Sequence, residues 1–333
     1  MAVGITAMLV TLMLTIISNV LGGWNRSSGV LTGGNQSRVV LDQLSTDLQG
    51  AIIKKDGNVW LAATVLSDSV TNNGSAWTTA SGGHAKPLGA NGSGFLTGRK
   101  ADGTADITPS ASYTPDLTTY RFGRSGIWLR FFTTVPDLNS ATDKLSAPRA
   151  VSYQMLRKGI GTGLYRYQLY RAEVRPGATS GTNSTFNMGY NLFMTAASPG
   201  YNTADTTDGN AGNVRKPTAN QLIANNVVDF GVRLWDSTSV IFPKTASHAG
   251  VAVTSSASAS APDGVTVTTA SSPVAAEVFV RILSDEGARL LTSYESGQSS
   301  APSGMSADEY WWQLVEANSQ VYTRRIDIKS TPQ

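Results

Sequence analysis

The chain has 333 residues, 15% of them charged, a formal net charge of +3 and no cysteine. That length holds one large domain or two ordinary ones. The scattered Lys and Arg residues form no basic block, which argues against a nucleic-acid footprint, and the missing cysteines exclude disulfides, thiolate metal sites and cysteine nucleophiles. The first element, Met1 to Leu21, is apolar and uncharged. At about 1.5 Å rise per residue, roughly 20 such residues match a ~30 Å hydrocarbon core, so the stretch predicts a membrane-spanning helix. Its side chains Val3, Ile5, Met8, Leu12, Ile16 and Val20 are the candidate membrane or assembly surface. No Lys or Arg precedes the run and Ser18 to Gly23 is a poor cleavage site. A retained anchor is therefore expected rather than a removable signal. Arg26 and Arg38 follow the run. Alone they would leave the large domain in the cytoplasm, and a basic leader ahead of Met1 would reverse that orientation.

Gly22, Gly23, Gly29, Gly33 and Gly34 come next. Each weakens a helix by up to about 1 kcal/mol, so they mark a bend, a melted turn or a close approach. Val40 or Leu41, Leu44, Leu48 and Ile52 then recur at helical spacing among Arg38, Asp42, Gln43, Asp47 and Gln49. Residues 37–53 therefore read as an amphipathic helix that docks its apolar stripe on a core and ends near Gly50. The segment 67–119 has loop composition. Strands are expected at 127–134, at 150–156 and 164–171 around a glycine-rich turn, and at 228–234. Segments 176–218 and 245–272 again read as loop, the latter an exposed flap or long hairpin. A strand at 274–283 leads to Ser284, which caps a short helix with Asp285 and Glu286 in its first turn. Ser306 and Glu309 form a capping-box pattern for a second helix, and residues 321–329 close the chain as a strand. The predicted fold is α+β: an N-terminal helix over 1–53 (1–21 for the membrane or filament core, 37–53 amphipathic) and one antiparallel-sheet domain over 54–333.

This order of elements resembles the type IV pilin-like proteins, in particular the J-type minor pseudopilins of type II secretion, related minor pilins and the large pilin-like proteins of Verrucomicrobia. The matching patches are Leu41 to Leu48, Leu129 to Thr133, Ala150 to Tyr153 with Leu164 to Arg166, and Leu222 to Phe230 continued to Trp235. The resemblance implies a structural subunit of a type IV pilus-like or pseudopilus-like filament, its helices bundled in the core and its sheet domains outside. It further implies residence in the inner membrane before assembly, partnership with other copies or related subunits, and a final place in an extracellular filament or periplasmic pseudopilus. The alternative is a single-pass anchored surface protein that never polymerises. The family's helix opens with an aromatic residue and carries an assembly glutamate, whereas this chain has no acidic residue before Asp42. By that match, Met1 falls inside the family's helix, which implies either that a leader and the helix start precede it or that this subunit assembles differently.

No catalytic constellation is legible. His84 and His248 sit alone in loop composition, no nucleophile elbow or phosphate-binding loop is present, and adjacent acids such as Asp308 and Glu309 fall in predicted first helical turns. The chain is read as no enzyme, with no cofactor and no nucleic-acid partner. Some pseudopilins use calcium, and Asp205, Asp208 and Asn210 could offer oxygen ligands. Their spacing departs from the EF-hand and fits an ordinary turn better. Trp311 and Trp312, beside Tyr310, are interface candidates, since two adjacent tryptophans are not expected to share the core.

Overall fold

A computed structural model describes residues 2–53, 60–65, 98–99, 105–106, 127–134, 149–161, 164–174, 219–242, 250–253, 266–268, 272–305 and 307–328. One helix, α1 (Ala2–Gln49), occupies the N-terminus without a break. The glycines do not interrupt it. Two of them instead let the sheet domain come close, because a Cβ on Gly29 would lie 2.8 Å from the Cβ of Ser284 and one on Gly33 would lie 3.2 Å from the hydroxyl of Tyr322. Among the described residues no helix is long and apolar enough to cross a membrane.

The helix ends at Gln49, short of the expected 53, so Ile52 is a strand residue and not part of the helical stripe; the N–H of Gly50 reaches the carbonyl of Thr46. There the chain turns into β1 (Ala51–Ile52), which lies against β5 (Ile127–Thr133) with Ala51 opposite Thr133. A Cβ at position 50 would stand 2.8 Å from the Thr133 hydroxyl and 3.2 Å from the carbonyl of Thr134. Glycine is what the crossing from helix to sheet admits.

The first sheet also contains β2 (Leu61–Val65), β6 (Arg149–Gly161), β7 (Leu164–Val174) and β8 (Leu222–Asn225). Its order places β2, β5, β6, β7 and β8 side by side, all antiparallel. The hairpin of β6 and β7 appears where the alternating pattern puts it, with longer arms. Two short strands, β3 (Gly98–Arg99) and β4 (Ala105–Asp106), pair within the segment read as loop. The Ala/Ser/Thr/Val-rich segment also departs from its reading. There β11 (Gly250–Val253) extends the sheet beyond β2, and β12 (Thr266–Thr268) runs parallel to β11. A hairpin would make those two strands antiparallel. Small β-branched residues give a strand without the large apolar side chains that make one obvious.

Asn226, in the left-handed region at φ 59°, turns the chain from β8 into β9 (Val227–Trp235). Asparagine tolerates that conformation better than most residues. The second sheet has the order β10 (Val240–Phe242), β9, β13 (Ala275–Leu283) and β14 (Ser319–Asp327). Between β13 and β14 stand α2 (Asp285–Glu295) and α3 (Ala307–Ala317). The Ser284 hydroxyl accepts from the N–H of Gly287 at 3.0 Å, so the expected cap is present. Ser306 lies outside the described residues. The fold is α+β with antiparallel sheets, and a single apolar core joins α1 to both of them.

Candidate functional site

The two halves of α1 meet different fates. In the second half Val40, Leu44 and Leu48 are fully buried and Leu41 is nearly so. Four such side chains contribute up to about 6–12 kcal/mol when removed from water. In the first half every described large apolar side chain is exposed. Ile5 is 63% exposed, Met8 77%, Leu12 58%, Ile16 53% and Val20 64%. Leu9, Met13 and Ile17, around the other sides of the helix, are exposed as well. Thr11 and Thr15 turn their hydroxyls back onto the carbonyls of Ala7 and Thr11, each at 2.9 Å, so their polar atoms are satisfied within the helix. The result is a rod whose exposed surface is mostly apolar, broken on one side by the stripe Thr11, Thr15 and Ser18. Of the candidate surface residues, Ile5, Met8, Leu12, Ile16 and Val20 lie on it. Val3 is in the helix, and its side chain is outside the described set.

What fastens the rod to the sheet is a charge cluster that the sequence pattern does not single out. Asp47, in the last turn of α1, has a fully buried side chain. Its carboxylate accepts from Arg171 of β7 through Nε at 2.6 Å and Nη2 at 3.0 Å. The Tyr153 hydroxyl of β6 adds a third bond at 2.5 Å and Gln43 a fourth at 3.3 Å. Arg171 also reaches Glu173 at 2.8 Å, and Glu173 holds Arg149 at 2.7 Å. The Thr133 hydroxyl donates to the backbone carbonyl of Asp47 at 2.7 Å. An acid at a helix C-terminus is opposed by the helix dipole, and α1 has no basic residue in its last turn. The sheet supplies the missing positive charge through Arg171.

The titration behaviour of the cluster follows from this geometry. Burial pushes the Tyr153 hydroxyl well above its usual value and the Asp47 charge pushes it further, while Arg171 partly opposes. For Arg171 burial acts to lower the value, and the hydrogen bonds and charge of Asp47 more than offset it, so its proton is held more tightly than usual. A second pair, Arg324 to Asp42 at 2.6 Å, ties β14 to the exposed flank of the same helix. Exposed pairs of this kind contribute about 0–1 kcal/mol, whereas removing one partner from the buried cluster would strand a buried charge at a cost of about 3–5 kcal/mol.

Trp311 and Trp312 do not form an exposed patch. They are 2% and 1% exposed and meet edge to face at 4.9 Å. Trp311 also donates to Glu295 at 2.8 Å and meets Tyr167 at 6.0 Å. Neighbouring helical positions are about 100° apart, and α3 is covered over an arc wide enough to take both. The interface reading of this pair is corrected accordingly. Asp285, at the start of α2, accepts from Asn226 at 2.9 Å, and Glu309 is exposed on α3. The calcium candidates Asp205, Asp208 and Asn210, and both histidines, lie outside the described residues. Among the described residues no group of three or more metal-ligating acids or histidines occurs.

No protein-family model matches the chain, and no curated protein matches it. Among solved structures, a type IV-like pilin from Thermus thermophilus is similar at a TM-score of 0.20 and 10% identity, over 65% of this chain and 81% of that one.

Proposed function

We propose that the chain is a structural subunit of a type IV pilus-like or pseudopilus-like filament. Its partners are other copies of itself or related subunits, its helices form the filament core and its sheet domains face outward. The observation that carries this reading is the contrast along α1. The second half is bolted to a folded domain by burial and by the Asp47 cluster. The first half projects with its described large apolar side chains exposed over most of its circumference. Such a surface is stable only when something apolar covers it, and equivalent helices from other copies give a cover of matching length and chemistry. Before assembly the inner membrane would serve as that cover. From there the subunit would pass into an extracellular filament or a periplasmic pseudopilus. The rival reading, a single-pass anchored surface protein, predicts that lipid remains the only cover. The proposal needs no catalytic residue, cofactor or nucleic-acid contact.

The test is electron microscopy of the full chain beside its Leu12→Asp variant. The proposal expects filaments from the first and none from the second, with the sheet domain of the variant still folded. A wild-type protein that remains a detergent-bound monomer under every assembly condition would refute it.

A further inference from the structure

Strand β14 ends the second sheet, and among the described residues no further strand pairs with its outer edge. The N–H of Ile328 bonds to the carbonyl of Val274, and the N–H of Ser284 bonds to that of Asn318. With the register of β13 against β14, these bonds direct the backbone groups of Gln320, Tyr322, Arg324 and Ile326 inward to β13. Those of Val321, Thr323 and Arg325 therefore point away from the sheet. Among the described residues none of these outward groups meets a backbone partner. Thr323 and Arg325 are exposed. The strand is nine residues long, or roughly 30 Å of edge. The opposite edge of this sheet, β10, has three residues, and Ile241 and Phe242 there are buried. Long open edges are commonly guarded by unpaired charge. Here the two arginines of the strand are already neutralised within the chain, Arg324 by Asp42 at 2.6 Å and Arg325 by Glu277 at 3.3 Å, which leaves the exposed Asp327 at the strand's end as the remaining charge.

We infer that β14 pairs antiparallel with β14 of a second copy, joining two four-stranded sheets into one of eight strands. The sequence is self-complementary in the register this requires. With Thr323 facing Thr323, Tyr322 lies opposite Arg324, Val321 opposite Arg325, and Ser319 opposite Asp327. No like charges are opposed, and every backbone group left open on one copy meets its counterpart on the other. The two-fold axis points the two α1 rods in opposite directions. Such a pair closes on itself and cannot propagate, so it competes with any assembly of parallel rods. It stands on the strand geometry alone and holds whether or not the filament reading does.

The experiment is residue-resolved hydrogen exchange and light scattering on the full chain in detergent, with Thr323→Pro and Leu12→Asp as variants. Proline at 323 removes only an outward N–H, which an edge strand tolerates. A dimer is expected in which the amides of Val321, Thr323 and Arg325 exchange at least tenfold more slowly than open amides. Thr323→Pro should give a monomer with the inward amides of Tyr322 and Arg324 still protected, and Leu12→Asp should leave the dimer intact. Open-amide exchange at Val321 and Arg325 beside protected inward amides would overturn the inference. So would a dimer that survives Thr323→Pro and is lost in Leu12→Asp.

Discussion

Replacing Asp47 with alanine removes the acceptor of four side-chain hydrogen bonds, two of them from Arg171. Breaking a buried ion pair from one side costs about 3–5 kcal/mol. Arg171 keeps Glu173 at 2.8 Å, so the low end, about 3 kcal/mol, applies. Alanine returns part of that, since it is the better helix former and no longer opposes the helix dipole, together worth about 1 kcal/mol. The net loss of docking is therefore about 2 kcal/mol, or about thirtyfold in the undocking equilibrium at 1.4 kcal/mol per factor of ten. Hydrogen exchange of the α1 amides from Leu44 to Gln49 reads this directly. The comparison is Asp42→Ala, whose exposed ion pair predicts a change of at most a few-fold. If Asp47→Ala exchanges within threefold of wild type, or no faster than Asp42→Ala, the cluster is not what holds the helix.

Two further outcomes follow from the same geometry. Gly23 has open space where a Cβ would stand, with nothing within 4 Å, so Gly23→Ala should strengthen the helix by up to about 1 kcal/mol. The same change at Gly29, where Ser284 stands 2.8 Å away, should lower the melting temperature through displaced packing. Burial raises the Tyr170 hydroxyl to about 12 and also raises that of Tyr153 well above its usual value. Both protons are held more tightly when folded than when unfolded. Their stabilisation is complete below about pH 10, the ordinary tyrosine value, and is lost as pH climbs through the folded values. Denaturant unfolding should weaken from about pH 10 to 12, and Tyr170→Phe should shallow that slope. A flat profile over this window would contradict the placement.

Much of the architecture is readable because its signals are local. The stripe Leu41, Leu44 and Leu48 marks the docking face, alternation marks β6 and β7, and Ser284 before two acids marks the start of α2. The Asp47 cluster escapes such a reading, although a trace of it exists. Asp47 is three residues after Leu44 and one before Leu48, which places it on the apolar stripe rather than beside it. A charged residue at such a position demands a partner, and the partner, Arg171, lies 124 residues away, where no local pattern can name it. β11 and β12 are hidden for another reason. Small residues carry almost no periodic contrast, and the pairing of β11 with β2 and of β12 with β11 decides their structure. The tryptophan pair misleads because the width of the arc that covers α3 depends on how α2 and the sheet enclose it.

The central claim is that the apolar half of α1 is covered by the same half of other copies. The chain has no cysteine, so Leu12→Cys and Leu290→Cys each provide a single thiol, one on the exposed rod and one on an exposed position of α2. Under mild oxidation of assembled protein, Leu12→Cys should form disulfide-linked dimers in high yield while Leu290→Cys stays monomeric. A Leu12→Cys protein that never cross-links, and whose thiol stays open to a lipid-soluble reagent throughout, would contradict the account.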